Sequence, residues 1–447
     1  MKQDLTIGSE KKALLLFAMP LIGGNILQQL YNVVDTWIVG RYVSSEALAA
    51  VGTSFALLTF LYSIIIGLCM GSSTAFAMYF GKKDKVLLRR SIFLSGSSIG
   101  ILTLVLNVLL LVWGDIIIKL MRVDPVLFEL TREYLHIIFM GLTAVFIYNF
   151  FASIVRSMGN SRVPVLFIAL AAALNIILDV LFVKFFNWKI AGAAWATFIA
   201  QLVSALGMMG YAWCKVPEVR LKKEDCVWDK ELMKQLGSYS LLTSLQQSIM
   251  NFGILMIQGL VNSYGVAVTA AFAAVVKIDA FAYMPVQDFG NAFSTFIAQN
   301  KGAGKEERIK KGIRFASLLT VLFSGLVSVG VVIGAKELML IFFEEYQQEI
   351  ISIGVRYLQI EGACYMGIGI LFLLYGFYRG VGRAGMSLVL TIISLGTRVI
   401  LAYALAPIGG IEMIWWAIPI GWILADAVGI GVLINYINKS KRIIREV

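Results

Sequence analysis

One histidine and four cysteines in 447 residues leave few side chains for metal or thiol chemistry. His136 stands alone. Cys69, Cys214, Cys226 and Cys364 show no metal-ligand spacing, so neither a zinc site nor a disulfide framework is expected. Charge is scarce as well: 15% of the residues are Asp, Glu, Lys or Arg, against about 25% in ordinary soluble domains. A soluble chain of this length could not clothe its surface with so little.

What the chain has instead is apolar length. Hydrophobic residues make up 59% of it, the mean hydropathy is +0.83, and many uninterrupted runs exceed the roughly 18 residues that mark a membrane span. Reading runs between charged breaks predicts spans near 13–38, 47–80, 91–113, 134–155, 163–186 and 190–213. Six more follow near 237–262, 266–299, 313–334, 352–378, 384–406 and 412–437. Helices are expected, because barrel strands would show ten-residue alternation. The polar start MKQDLTIGSEKK leads into the first run with no small-residue cleavage site, which reads as a retained span. The sequence lacks HExxH, GxGD and a Cys/His pair, so an intramembrane enzyme is not expected.

The net charge of +11 has a topological reading and calls for no nucleic acid. With twelve spans, 28 of the 38 Lys and Arg residues fall on the side of both termini and 8 on the other, which predicts cytoplasmic termini. The expected setting is a cell membrane, plasma or inner, with lipid as the surrounding partner and the chain acting as a monomer.

Shifted against itself by about 220 residues, the chain matches in order. Leu27-Gln28-Gln29 recurs as Leu245-Gln246-Gln247, Ser73-Thr74 as Ser294-Thr295, and Arg156-x-x-Gly159 as Arg379-x-x-Gly382. Six spans per half make the repeats parallel. Two six-helix bundles, 1–213 and 236–447, are then related by an axis along the membrane normal and tied by a cytoplasmic linker at 214–235. Two such bundles with a cavity at their interface suggest a transporter working by alternating access.

Charges inside spans cost at least ~2.5–3.5 kcal/mol at mid-bilayer and usually serve function. Candidates are Asp35, Asp179, Lys277, Asp279, Asp288, Glu361, Arg398 and Asp426. Asn175 and Asp179 lie one helical turn apart on one face, able to hold a proton or coordinate Na⁺. Asp35 in the same half can raise that affinity. The repeat sets Arg398 opposite Asn175, so the C-terminal half carries a positive charge in place of this cation site. Arg398 is expected to pair with a carboxylate of its own half, Asp288 or Glu361. Lys277, Asp288, Glu361 and Arg398 form a candidate polar network; the roles of Lys277, Asp279, Glu361 and Asp426 stay open. Pro20, Pro285 and Pro419 interrupt spans and can kink them, with Pro20 a candidate hinge on the helix of Asp35.

Three stretches carry a resemblance: MPLIGGNILQQLYNVVDTWIVGRY with ALAAVG after it, RSMGNSRVP followed by LNIILDVLF, and QNKGAGKEERIKKG. Together they resemble the multidrug and toxic compound extrusion (MATE) transporters, over nearly the whole chain. The resemblance implies an all-α membrane protein of two six-helix bundles around a central cleft, exporting small organic compounds in exchange for H⁺ or Na⁺. It implies a cation site at Asp35, Asn175, Asp179 and Thr197, open to Na⁺ as metal, and a bending helix at Pro20. The span near 237–262 has no acidic residue, so the pattern is DinF-like and away from the NorM-like one. No cofactor beyond the coupling ion is implied. The alternative is a flippase of the same superfamily for a lipid-linked saccharide or another lipid; a saccharide flippase would want a basic cleft.

Overall fold

A computed structural model describes residues 4–121 and 123–446, without the side chains of 45 and 439–446. Arg122 and the basic residues of the C-terminus, counted above for orientation, therefore lie outside the described side chains. Every regular element among the described residues is helical.

In chain order the helices are α1 (Glu10–Tyr42), α2 (Ser45–Lys82), α3 (Lys85–Leu120), α4 (Pro125–Met140), α5 (Leu142–Ser157), α6 (Arg162–Asp179) and α7 (Lys189–Lys215). Then come α8 (Lys230–Asn262), α9 (Val266–Gly302), α10 (Glu306–Ile333), α11 (Ala335–Leu340), α12 (Gln348–Gly362), α13 (Tyr365–Gly380), α14 (Ala384–Gly409) and α15 (Glu412–Glu446). A one-turn π-helix, Val180–Phe185, prolongs α6.

Among the described residues, nine single helices are long and apolar enough to cross a membrane. Two bent pairs, α4–α5 and α12–α13, raise this to 11. The twelfth span is α8. Its 33 residues would reach about 50 Å at 1.5 Å per residue, but Ser240, Thr243, Ser244, Gln246 and Gln247 make it less apolar than the others. The twelve-helix, two-bundle expectation holds. The sharp bends fall at Gly141 (41°) and around Ala363–Cys364 (51°), while Pro20, Pro285 and Pro419 all lie inside continuous helices.

Contacts divide the chain into two units. One comprises Met1–Asp4 and Met19–Ser244, the other Leu5–Ala18 and Leu245–Val447. Helix α1 therefore belongs to the second unit as far as Ala18 and to the first from Met19, just before Pro20; α8 changes membership after Ser244.

In the first unit, α2 packs against α5 and α6 against α7, around a core that includes Phe76, Phe139, Phe150 and Leu135. The first part of α8 lies close on α2. A Cβ on Gly71 would stand 2.3 Å from the Tyr239 carbonyl oxygen, and one on Gly67 2.5 Å from the Ser244 Cα. Small residues permit this approach, as is usual where lipid gives helices no hydrophobic drive to associate. It also lets Ser72 and Ser240 bond at 2.8 Å.

In the second unit α9 packs against α13, and α14 against α15. Here the close approach is between Gly290 and Gly376, whose Cβ would meet the Gly290 carbonyl at 2.2 Å. The motif QNKGAGKEER has a structural use in this unit: it holds the start of the chain. Gln299 Oε1 accepts from the Leu5 N–H at 3.1 Å, and Arg308 donates to the carbonyls of Leu5, Ile7 and Gly8 at 3.0, 2.9 and 2.6 Å. Leu318, Leu322, Leu326, Val329 and Ile333 form an exposed stripe along α10. Such a stripe is stable facing lipid tails and would be a liability in water.

Candidate functional site

Five helices of the first unit bring polar groups to one buried place. Asp179 is the last residue of α6 and is fully buried; Asn175, one turn earlier, is 1% exposed. The π-turn begins directly after Asp179. Within it the Phe182 ring stacks on Trp188 at 4.8 Å, and such turns often accompany functional sites. Asp35 on α1 comes within hydrogen-bonding reach of Asp179. Oriented to satisfy both its ends, the Asn175 amide donates to Asp179 Oδ2 at 2.8 Å. Its oxygen accepts from the Thr197 hydroxyl of α7 at 3.2 Å and from the Thr197 N–H at 3.1 Å. Tyr31 bonds to Thr197, and Tyr62 and Tyr134 close the surroundings from α2 and α4.

The charge of this arrangement follows from its chemistry. An ionised carboxylate only accepts hydrogen bonds, so two carboxyls bond to each other only across a proton. Two carboxylates this close repel each other, so the place favours a proton or another small cation between them. Asp35 Oδ1 and Asp179 Oδ1 are buried and accept from no donor among the described residues. A charge in a poorly hydrated site is costly unless paired, so the pair suits a small cation, a proton or Na⁺. Oxygen ligands are what a hard cation prefers. Among the described residues no group of three or more His, Cys, Asp or Glu is placed for a metal ion; a monovalent site of two carboxyls, an amide and a hydroxyl has no need of one.

The second unit holds another acid pair. Asp279 of α9 and Glu361 of α12, each 3% exposed, lie within hydrogen-bonding reach of one another. Tyr365 donates to Asp279 Oδ1, Tyr357 bonds to both acids, and Tyr283 lies beside them. Arg398 of α14 is within electrostatic range of both carboxyls. The structure therefore brings Glu361 and Arg398 together with Asp279. The expected Asp288 stands nine residues further along α9, roughly 14 Å at the helical rise. Lys277 is exposed. Asp426, also buried, faces Gly367 and Tyr375. His136 lines an open depression with Glu129 and Glu133.

Sequence reasoning missed Asp279 as a partner and every tyrosine of both clusters. A signal existed: Tyr62 recurs as Tyr283 and Tyr134 as Tyr357, at the same shift as the other matches.

The repeat is seen independently in comparison with known proteins. The MatE family model matches the chain twice, over residues 20–181 and again over 241–404. The chain belongs to this family, the MATE transporters. It is 29% identical over 397 residues to the probable multidrug resistance protein YpnP of Bacillus subtilis, covering 88% of this chain and 87% of that one. It is 26% identical to the FAD transporter of Shewanella oneidensis, over 92% of this chain and 91% of that one. A crystal structure of MATE in complex with MaL6 superposes with a TM-score of 0.91 at 23% identity, covering 99% of each chain. As a MATE transporter the protein is a multi-pass membrane protein.

Proposed function

We propose that this MATE transporter is a secondary antiporter that exports small organic compounds, cationic and amphipathic, in exchange for H⁺ or Na⁺. The coupling site is Asp35, Asn175, Asp179 and Thr197. One observation carries the reading: two buried carboxyls from α1 and α6 stand within hydrogen-bonding reach of each other, and each keeps an oxygen that no donor among the described residues reaches. The site is built to lack one positive charge.

Cation and cargo then compete for that charge. With the pair singly ionised and open to the cytoplasm, a cationic compound is favoured. On the outer side H⁺ or Na⁺ neutralises the pair and lowers cargo affinity, and the loaded form returns empty. Each ligand drives the cycle by preferring one state. Pro20 serves as the hinge of α1, at the place where that helix changes from one unit to the other. The bundles 1–213 and 236–447 rock about the linker 214–235, in a plasma or inner membrane with both termini cytoplasmic, and the monomer is the working unit. A flippase for lipid-linked saccharides would want basic residues about the site; acids and phenols stand there.

The test is uptake of ethidium into proteoliposomes under an imposed pH or Na⁺ gradient. The gradient that drives uptake names the ion. Asp179→Asn should insert normally and lose at least about tenfold in gradient-driven uptake, a barrier change of ~1.4 kcal/mol or more. Undiminished uptake by that variant removes the proposal.

A further inference from the structure

Helix α1 is buried at its two ends and loose between them. Ala13, Leu14, Phe17 and Ala18, in the part that belongs to the second unit, are buried, and so are Ile38 and Val39 in the part that belongs to the first. From Met19 to Trp37 no apolar side chain of the helix is buried. That stretch contains both Pro20 and Asp35. Segments with few buried apolar contacts are the ones that move. A helix with a loose middle passes on a displacement only as firmly as its ends are held.

The end in the second unit is held by one arginine. Arg308, in the first turn of α10, aims its guanidinium at the chain just before α1. Its Nε and Nη2 both donate to the Leu5 carbonyl, at 3.1 and 3.0 Å. Nη2 also donates to Ile7 at 2.9 Å, and Nη1 to Gly8 at 2.6 Å. Glu10, the first residue of α1, lies 3.6 Å from Nη1, and the Phe296 ring backs the guanidinium at 5.7 Å. The carbonyls converge because Gly8 has φ +71°, a conformation that glycine adopts freely. Lys305 adds a bond to the Thr6 carbonyl at 2.6 Å, and Asn300 one to Leu5 at 3.2 Å. Bonds from an ionised donor are the strong ones, and a planar fork can serve three carbonyls at once where an ammonium cannot. All these groups belong to the second unit, whereas Asp35 belongs to the first. From Glu10 the helix runs unbroken to Asp35, about 38 Å at the helical rise.

We propose that Arg308 is a positioning residue for Asp35. It fastens the foot of α1 to the second unit, so that rocking of the bundles bends the helix at Pro20 and carries Asp35 toward or away from Asp179. Arg308 itself touches neither cation nor cargo. This rests on the exchange at Asp35 and Asp179 proposed above.

Comparing binding with transport separates such an anchor from a merely structural residue. Arg308→Gln should leave the ethidium affinity of the purified protein within about twofold of the wild type at every pH, while gradient-driven uptake into proteoliposomes falls about tenfold. Arg308→Lys keeps the charge without the fork, and its uptake should fall between the two. A folded Arg308→Gln protein with wild-type uptake overturns the proposal, and so does one whose affinity and uptake fall by the same factor. Should Arg308→Gln not fold, Lys305→Gln decides, since it removes only the bond to the Thr6 carbonyl. Intact affinity with uptake reduced about twofold or more supports the anchor; unaltered uptake, or an equal loss of both, overturns it. Failure of the exchange reading looks different, since Asp179→Asn would then transport like the wild type whatever Arg308 does.

Discussion

The N-terminal unit completes its acid pair with the amide of Asn175 and the hydroxyl of Thr197, while the C-terminal unit completes its own with Arg398 and three phenols. The scaffolds about the two pairs correspond: matched tyrosines, matched helix breaks, buried carboxyls close together. The difference lies in the fourth corner, an amide in one half and an arginine in the other. The acids arise on different helices in the two halves, so what the halves have in common is the polar place itself, more than any single acidic position.

That contrast can be broken most severely at Asp35. Asp35→Asn removes one carboxyl of the exchangeable pair and should abolish ethidium uptake as fully as Asp179→Asn, at least about tenfold in the proteoliposome assay. Equal transport in that variant would mean that the pair does not act as a pair. Thr197→Val keeps the shape of the side chain and removes the hydroxyl that bonds Asn175 and Tyr31. The loss of about 1 kcal/mol expected for one hydrogen bond should weaken the exchange about fivefold without abolishing it. Glu361→Gln should be the mildest, changing the initial rate of gradient-driven uptake by less than about twofold, because the proposed exchange runs through Asp35 and Asp179. A loss there as deep as that of Asp35→Asn would erase the distinction between the two units.

The sequence carried the spans well, since each is written locally as an apolar run bounded by charge. The span of α8, less apolar than the rest, was read in the same way, as a run near 237–262 between charged breaks. Asn175 and Asp179 were also legible, being one turn apart on one helix. Asp35 could be assigned to the same half by sequence, but its approach to Asp179 joins α1 to α6, and no spacing encodes a contact between helices. Asp279 was obscured for the same reason. Its neighbours Glu361, Tyr365 and Arg398 come from three other helices, so Asp288, on the same helix and equally acidic, was an equal candidate for Arg398. The π-turn after Asp179 left no trace in hydrophobic periodicity.

The most direct test counts ions at the first pair. Ethidium added to purified protein in lightly buffered, sodium-free solution should release about one proton per ethidium bound from the wild type, and none from Asp179→Asn. Equal release from the two proteins would show that cargo and cation do not meet through Asp35 and Asp179, and would contradict the exchange.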